Sequence, residues 1–292
     1  MIYHLENKYL KIAVNLKGAE LKTVFNKVAQ QELLWQADLE FWGKSSPVLF
    51  PIVGALKDGK YMYQGKEYHL PRHGFARDYN FKLEELSGSR LIFSLEATQE
   101  TLAVYPFLFK LLIGYTLTAD CLEVTYKVEN LSDDESMYFS LGAHPAFHVG
   151  TKSDDFLNYA LRFNKDRTLE ANKLHDGLLT TDKNIITLNN KKLPLHYELF
   201  KNDALVLLDM KSDKITLLRN DDEPILNFTF ENFPYFGIWT VKDSGFICLE
   251  PWAGVADFED HNQQLTDKFG INILQPNEKW SASWTLNIPT EQ

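Results

Sequence analysis

Short runs of alternating apolar and polar residues, separated by turn residues, recur along the chain and constrain its fold more than any other feature. Residues 10–16 alternate and are followed by Gly18, and residues 60–70 have Gln64-Gly65 at their centre, the pattern of a β-hairpin. Further strand-length runs are residues 91–95, 107–117, 122–129, 204–208, 214–218, 225–230, 236–240, 246–249 and 280–288. Helical periodicity is scarce, with short turns predicted at 193–199 and 263–269. About fifteen strands without a helix-rich block predict an all-β fold, a large antiparallel β-sandwich with few short helices.

The domain organisation follows from what the chain lacks. There is no Gly/Ser-rich or Pro-rich linker, no repeat and no low-complexity tract in its 292 residues. The most polar stretch, residues 164–192, is predicted to form surface loops and hairpins of the same fold. We therefore expect a single domain over residues 1–292.

Charge and hydropathy narrow the possible partners and the compartment. Lys and Arg total 30 against 40 Asp and Glu, a formal net charge of −10 without any basic run, which disfavours nucleic acid and anionic membranes as partners. The N-terminus has no signal-peptide pattern, and no apolar run approaches the roughly 18 residues of a membrane-spanning helix. We expect a soluble cytoplasmic protein, and the composition leaves its oligomeric state open.

The two cysteines, Cys121 and Cys248, both lie in apolar, strand-like runs. That setting predicts buried free thiols and disfavours a disulfide or a metal-binding pair.

One candidate for chemistry is Glu250, in the segment of residues 245–257. The apolar residues 246–249 predict a buried strand, Glu250 follows at its end, and Pro251 is expected to end the hydrogen-bonded ladder. A carboxylate at such a strand end has a pKa that its surroundings can tune. Trp252 provides a flat apolar surface suited to a sugar ring. A capping or ion-paired acid is the structural alternative.

Two histidines lie in similar surroundings far upstream. His73 precedes Gly74 within residues 70–78, a segment that also contains Arg72, Arg77 and Asp78. His144 follows an apolar strand and precedes Pro145. Each histidine has an alternative interpretation as a hydrogen-bonded structural residue. Together with Glu250 they suggest acid/base catalysis, because histidine titrates near neutrality and burial can raise a glutamate pKa towards that range.

Other catalytic classes find little support in the sequence. No nucleophile elbow is present, and both cysteines are expected to be buried, so neither serine nor cysteine nucleophilic catalysis is predicted. The spacing of His144 and His148 would suit a metal only on a helix, and Pro145 opposes a helix there. We therefore expect no metal.

A set of motifs resembles the aldose 1-epimerase (galactose mutarotase-like) family, and in particular its LacX-type subgroup. The match runs in order along nearly the whole chain. Its motifs are LFPIVG at 49–54, HGFARD at 73–78, GAHPAF at 142–147, NDA at 202–204, NFPYFGIW at 232–239 and LEPW at 249–252.

The resemblance implies a galactose mutarotase-like β-supersandwich with an open cleft, and an enzyme that interconverts the α and β anomers of a free aldose such as a hexose. It implies that Glu250 removes the proton of the anomeric hydroxyl and that His144 protonates the ring oxygen. His73 would hydrogen-bond near the ring oxygen. The implied substrate-binding residues are Asp203, Arg77, Trp239 and Trp252. No cofactor is implied, because both half-reactions are proton transfers.

The chain departs from the family pattern at Ala55, where relatives usually carry a sugar-binding Arg after the Gly of PIVG. Three functions therefore stay open: an aldose 1-epimerase, a sugar-binding or sensor protein on the same scaffold, and a hexose-6-phosphate 1-epimerase. The last would use Arg72 and Arg77 to hold a phosphate.

Overall fold

A computed structural model of the protein describes residues 1–150, 153–220 and 222–289. Within these residues the chain forms twenty-five β-strands, one α-helix and five 3₁₀ helices. The strands are β1 (Ile2–Glu6), β2 (Leu10–Asn15), β3 (Glu20–Asn26), β4 (Gln31–Glu32), β5 (Val48–Leu49), β6 (Lys60–Tyr63), β7 (Lys66–His69), β8 (Lys82–Leu86), β9 (Arg90–Glu96), β10 (Phe109–Thr118), β11 (Cys121–Asn130), β12 (Met137–Phe139), β13 (Leu141–Ala143), β14 (Ala146–His148), β15 (Tyr159–Phe163), β16 (Thr168–His175), β17 (Leu178–Thr187), β18 (Lys192–Pro194), β19 (Leu205–Leu207), β20 (Lys214–Arg219), β21 (Glu223–Glu231), β22 (Tyr235–Trp239), β23 (Phe246–Ala253), β24 (Asn272–Leu274) and β25 (Lys279–Asn287). The helix α1 is Gln99–Val104, and the 3₁₀ helices are Lys57–Gly59, Ala76–Asp78, Ser153–Asn158, Tyr197–Phe200 and Leu265–Asp267.

Two large antiparallel sheets dominate the architecture. One has nine strands in the order β18-β15-β20-β21-β25-β11-β10-β9-β8. The other has eight, in the order β17-β16-β19-β22-β23-β13-β5, with β14 also paired to β23. A four-stranded sheet (β1 to β4) and the pairs β6-β7 and β12-β24 complete the described part of the chain.

The two large sheets pack face to face around an aromatic core. Phe228 of the nine-stranded sheet contacts Phe147 and Phe236 of the eight-stranded sheet, with ring centroids 5.7 and 6.4 Å apart. All three side chains are fully buried. The sandwich expected from the alternating pattern is therefore confirmed, since each strand gives one set of alternate residues to this core.

Strand β23 lies inside the eight-stranded sheet, between β22 and the pair β13 and β14, and both of its faces are buried. Ile247 and Leu249 belong to the core between the sheets. The residues that alternate with them, Cys248, Glu250 and Trp252, therefore face the opposite side. This period of two places a glutamate and a tryptophan side by side on the outer face of the sheet.

The predicted strands are found close to their expected positions. The hairpin at residues 60–70 is formed by β6 and β7, which pair antiparallel on either side of Gln64-Gly65. Strands β10 and β11 pair antiparallel over their full length. The polar stretch of residues 164–192 contains the hairpin of β16 and β17.

Several expectations about element limits were wrong. The predicted helical turns are both found as 3₁₀ helices with narrower or shifted limits: Leu265–Asp267 lies within residues 263–269, and Tyr197–Phe200 follows β18, which includes residues 193 and 194. Helix α1 was not predicted, although Thr98 and Thr101 cap its first turn reciprocally. The sequence predicts about fifteen strands and the structure has twenty-five in its described residues. Strands of two or three residues are too short to show an alternation of apolar and polar residues.

Pro251 does not end its strand, which continues to Ala253. Leu249 donates its N–H to Pro145 at 3.1 Å, and alternate residues of an antiparallel strand face the same neighbour. Pro251 therefore faces the interruption between β13 and β14, where no backbone donor is needed. As a consequence Glu250 lies inside β23, paired with Gly237, and not at a strand end.

Among the helices of the described residues, none combines the length and the apolar character that crossing a membrane requires.

Candidate active site

A cleft of about 540 Å³ lies on the outer face of the eight-stranded sheet. Strands β19, β22 and β23 form its floor, and segments from several other parts of the chain form its walls. It is lined by Trp42, Gly54, Arg72, His73, Arg77, His144, Leu174, Gly177, Leu179, Asp203, Ala204, Val206, Trp239, Glu250, Trp252 and Ala256. All seven site residues expected from the sequence are in this set, so the fold brings them together.

Glu250 is buried more deeply than its expected place at a strand end would allow, with only 1% of its surface exposed. Burial raises the pKa of its carboxyl well above the usual value, and the nearby positive charge of Arg72 acts in the opposite direction. A carboxyl group in this position favours its protonated form.

His144 approaches Glu250 directly, with its Nε2 atom 3.2 Å from Oε2 of the carboxyl. Burial also lowers the pKa of His144, to about 3. The distance alone would fit an ion pair, but burial disfavours charge on both groups, so the carboxyl favours its protonated form and the imidazole its neutral form. The pair is therefore neutral overall, with an acidic and a basic group 3.2 Å apart.

His73 is oriented by the PIVG segment. Its Nδ1 accepts the backbone N–H of Gly54 at 3.1 Å, and the backbone N–H of His73 donates to the Gly54 carbonyl at 2.9 Å. Burial lowers the pKa of His73 well below the usual value, so the ring is neutral. Because Nδ1 acts as an acceptor, the proton of the neutral ring is on Nε2, which makes that nitrogen a hydrogen-bond donor. The rings of His73 and His144 lie 5.8 Å apart.

Asp203 and Arg72 form an ion pair at the cleft wall, with 3.4 Å between Arg72 Nη2 and Asp203 Oδ2. Asp203 has a φ of 82°, a left-handed backbone conformation that is uncommon for a residue other than glycine. Its second carboxylate oxygen accepts the N–H of Ala204 at 2.8 Å, which holds the side chain against the start of β19.

Arg77 is half-buried, and its Nη2 donates to the carbonyl of Arg72 at 2.7 Å. Its Nε lies 3.8 Å from the carboxylate of Asp78. Arg72 and Arg77 thus bring two guanidinium groups to one wall, and each has N–H groups beyond those already used.

Trp252 lies flat on the sheet because its indole covers one glycine of each neighbouring strand, Gly142 in β13 and Gly237 in β22. A Cβ added at Gly237 would lie 2.4 Å from the indole, and one added at Gly142 would lie 2.7 Å from it. The indole therefore forms an apolar floor. Trp239 stands almost perpendicular to His144, with ring centroids 5.7 Å apart and an 87° angle between the planes.

Trp42 is a cleft residue that the sequence analysis missed. Its indole stacks on His144, with centroids 4.8 Å apart and planes at 28°, and it meets Trp239 edge-on at 5.5 Å. The loop that carries it is held by buried Glu20, which accepts the N–H of Ser45 at 2.6 Å. No motif points to this residue, and an aromatic pair with Phe41 in an otherwise polar loop was the available signal.

The tip of the β16–β17 hairpin closes another wall, next to Ala55. A Cβ added at Gly177 would lie 3.6 Å from the Ala55 side chain and 3.9 Å from Nη1 of Arg72. The guanidinium of Arg72 therefore lies near the position at which the chain has Ala55. The hairpin was expected only as a surface feature.

Comparison with known proteins agrees with this architecture. The family model described as aldose 1-epimerase matches residues 1–286. The plasmid-encoded protein LacX of Lactococcus lactis subsp. lactis is 32% identical over 298 residues, covering 99% of both chains.

Two solved structures extend the comparison. A galactose mutarotase related enzyme from Lactobacillus acidophilus is 34% identical with a TM-score of 0.93, covering 99% of this chain and 98% of the other. A galactose mutarotase-like protein from Lactobacillus casei is 28% identical with a TM-score of 0.89, covering 99% of this chain and all of the other. The fold expected from the motifs is confirmed.

Proposed function

The chain belongs to the aldose 1-epimerase family, including its LacX relatives, and we propose that it interconverts the α and β anomers of an aldose by acid/base ring opening and closure. The family supports a carbohydrate epimerase with a sugar as its substrate. The observation that carries the finer proposal is the His144–Glu250 contact of 3.2 Å within a cleft that has an apolar tryptophan floor.

The reaction requires one proton to leave O1 and one to reach the ring oxygen, O5. Both oxygens are bonded to the same carbon, C1, so a pair of reactive atoms that lie 3.2 Å apart can reach both. Glu250 takes the proton of the O1 hydroxyl, the C1–O5 bond breaks as the C1 carbonyl forms, and His144 donates a proton to O5. No net proton is gained or lost.

Rotation about the C1–C2 bond then turns the other face of the carbonyl towards O5. Closure reverses the two roles, because His144 takes the O5 proton while Glu250 returns a proton to O1. The pair starts with one proton, which burial favours on Glu250, and its transfer to His144 over the 3.2 Å contact gives the carboxylate and imidazolium that ring opening needs. Nε2–H of His73 donates to the sugar near O5 in this arrangement.

The remaining cleft residues bind the substrate in this proposal. Asp203, with its carboxylate on the cleft wall, accepts hydrogen bonds from sugar hydroxyls, and Arg77 donates to them. The indole of Trp252 lies below the apolar face of the ring, and Trp239 limits the cleft beside His144. Arg72, which lies beside Ala55, provides a guanidinium close to the place where relatives carry an Arg.

Polarimetry tests this function directly. Freshly dissolved α-glucose and α-galactose are followed with and without the protein, and we expect optical rotation to reach equilibrium faster with it. A protein that binds these sugars, but leaves the rate at its spontaneous value, would instead be the sugar-binding or sensor protein suggested by Ala55.

A second candidate substrate is a hexose 6-phosphate, and the observation that favours it is the pair of guanidinium groups on one wall. Arg72 and Arg77 both line the cleft, and a guanidinium binds phosphate oxygens bidentately. Saturation-transfer NMR compares glucose and galactose with their 6-phosphates. This candidate predicts that the anomers of the 6-phosphates exchange faster than those of the free sugars, and that Arg72→Gln slows only the exchange of the 6-phosphates. Exchange of the 6-phosphates at the same rate in Arg72→Gln as in the unmodified protein would count against it.

A further inference from the structure

A third chemically reactive side chain lies beside the acid/base pair. Cys248 is on the same face of β23 as Glu250, two residues earlier, and it is fully buried. Its thiol, one ring nitrogen of His144 and one carboxyl oxygen of Glu250 all lie within 4.8 Å of one another. The proposed epimerisation has no use for this thiol.

We propose that Cys248, His144 and Glu250 form a binding site for a thiophilic divalent cation such as Zn²⁺, and that the bound cation blocks the sugar from the pair. The binding site is inferred from the geometry alone. The blocking effect rests on the proposed function, because it requires His144 and Glu250 to be the catalytic pair.

The three side chains are close to the spacing that zinc requires. Zn²⁺ binds His nitrogen and carboxylate oxygen at about 2.0–2.2 Å and Cys sulfur at about 2.3 Å, so tetrahedral ligand atoms lie roughly 3.3–3.7 Å apart. His144 and Glu250, at 3.2 Å, are already close to this separation. The thiol, within 4.8 Å of both, needs a shift of about 1 Å at most to complete three ligands.

The charge balance of the site also suits a dication. One thiolate, one carboxylate and a neutral imidazole together neutralise the two positive charges of the cation. Coordination releases the protons of the thiol and the carboxyl to solvent. A neutral complex is the kind that a buried site can hold.

The positive groups nearby oppose a cation only weakly. Arg72 is paired with Asp203 at 3.4 Å, and Arg77 lies 3.8 Å from the carboxylate of Asp78. His144 and Glu250 line the cleft, which gives the cation a path of access and leaves its fourth coordination position for water. The thiolate selects Zn²⁺, Cd²⁺ or Co²⁺ over Mg²⁺ and Ca²⁺, which prefer oxygen ligands.

The chain offers a matched control, because it has two cysteines and the other one, Cys121, lies on β11 of the nine-stranded sheet. The full-length protein and its Cys121→Ser, Cys248→Ser and Cys248→Ala variants are titrated with Co²⁺ and with Zn²⁺. Near-ultraviolet absorbance reports cobalt–thiolate coordination, and calorimetry gives the Zn²⁺ affinity. Thermal melting identifies any variant that has lost its fold.

We expect the unmodified protein and Cys121→Ser to show a cobalt–thiolate band that saturates at one Co²⁺ per chain. Cys248→Ser and Cys248→Ala should lose the band and weaken Zn²⁺ binding more than the roughly 10–100-fold typical of removing an outer-shell partner. The site would be overturned if both folded Cys248 variants bound Zn²⁺ as tightly as the unmodified protein does. It would also be overturned if the unmodified protein bound Co²⁺ without a thiolate band.

Anomer exchange is measured separately, with and without metal. Zn²⁺ should slow exchange by the unmodified protein and by Cys121→Ser, with recovery on addition of EDTA, while Mg²⁺ has no effect. Zn²⁺ binding that leaves exchange unchanged would overturn the blocking effect alone. A protein that binds Zn²⁺ but never accelerates exchange would contradict the proposed function and leave the metal site intact.

Discussion

At the scale of single residues, the cleft depends on ionisable side chains that are kept neutral by burial. Glu250 and His144 lie 3.2 Å apart, and His73 has its donor nitrogen set by the backbone of Gly54. Such groups exchange protons with a substrate without first creating an isolated buried charge. The chemistry proposed for the cleft therefore follows from where these three side chains lie.

Replacing Glu250 with Gln tests the role of the carboxyl. The amide keeps the size of the side chain but cannot take a proton, so we expect the enzymatic part of the exchange rate to fall by about 10²–10⁴. Glu231→Gln, at an exposed position in β21, is the matched control and should leave the rate unchanged. Exchange in Glu250→Gln at the rate of the unmodified protein would exclude Glu250 as the base, provided that the melting temperatures agree.

Trp42 is expected to position His144 and to shield it from water. Because the indole stacks on the imidazole at 4.8 Å, Trp42→Ala should misplace the acid and reduce kcat by up to about 10²-fold, with a smaller change in KM. Trp42→Phe keeps an aromatic face and should restore most of kcat. Steady-state kinetics of the two variants decide the point, and equal kcat values for both would show that stacking has no part in the reaction.

That the seven predicted residues lie together in one cleft could be anticipated because all of them belong to short sequence motifs. What the sequence did not reveal was how they meet. The depth of Glu250 depends on the interruption between β13 and β14 that accommodates Pro251, and Trp42 reaches His144 only through a loop held by Glu20. Both are contacts between distant parts of the chain, which residue patterns within one strand do not record.

At the scale of elements, the segment after β23 is fixed to the cleft wall by a buried ion pair. Lys268 Nζ lies 2.6 Å from Oδ1 of Asp257, and Oδ2 of the same carboxylate accepts the N–H of Lys57 at 2.9 Å. Only 3% of Lys268 and 2% of Asp257 are exposed. Ala256, which precedes this aspartate, lines the cleft.

Breaking this ion pair should destabilise the protein strongly. Lys268→Met leaves a buried carboxylate without its counter-ion, and we expect the free energy of unfolding to fall by about 3–5 kcal/mol. Asp257→Asn should also be destabilising, while the double variant should lose less than the sum of the two single changes. Denaturant unfolding of the four proteins measures this coupling, and strictly additive losses would argue against a direct interaction.

Element types were easier to predict than element limits. Alternation identifies a strand such as β2 or β11, because one face is buried and the other meets solvent. It does not identify two- or three-residue strands such as β5 and β13, which exist only because a neighbouring strand pairs with them. The hairpin of β16 and β17 was expected only at the surface, whereas its tip lies against the cleft. Its polar sequence does not show which other segment it contacts.

At the scale of the whole molecule, the core and the cleft lie on opposite faces of the eight-stranded sheet. The facing sides of the two large sheets form the aromatic core, and the outer side of the eight-stranded sheet carries Val206, Trp239, Glu250 and Trp252 into the cleft. The sandwich architecture followed from composition and periodicity, whereas the assignment of one sheet face to a sugar depended on the family motifs. The choice among sugars depends on distances between walls, which no motif specifies.

A crystal structure of the Glu250→Gln variant with a bound aldose tests most directly whether Glu250 and His144 act on one sugar. We expect the pyranose above Trp252, with O1 within hydrogen-bonding distance of residue 250 and O5 within hydrogen-bonding distance of the His144 imidazole. A sugar bound in the cleft with C1 directed away from these two side chains would contradict this expectation.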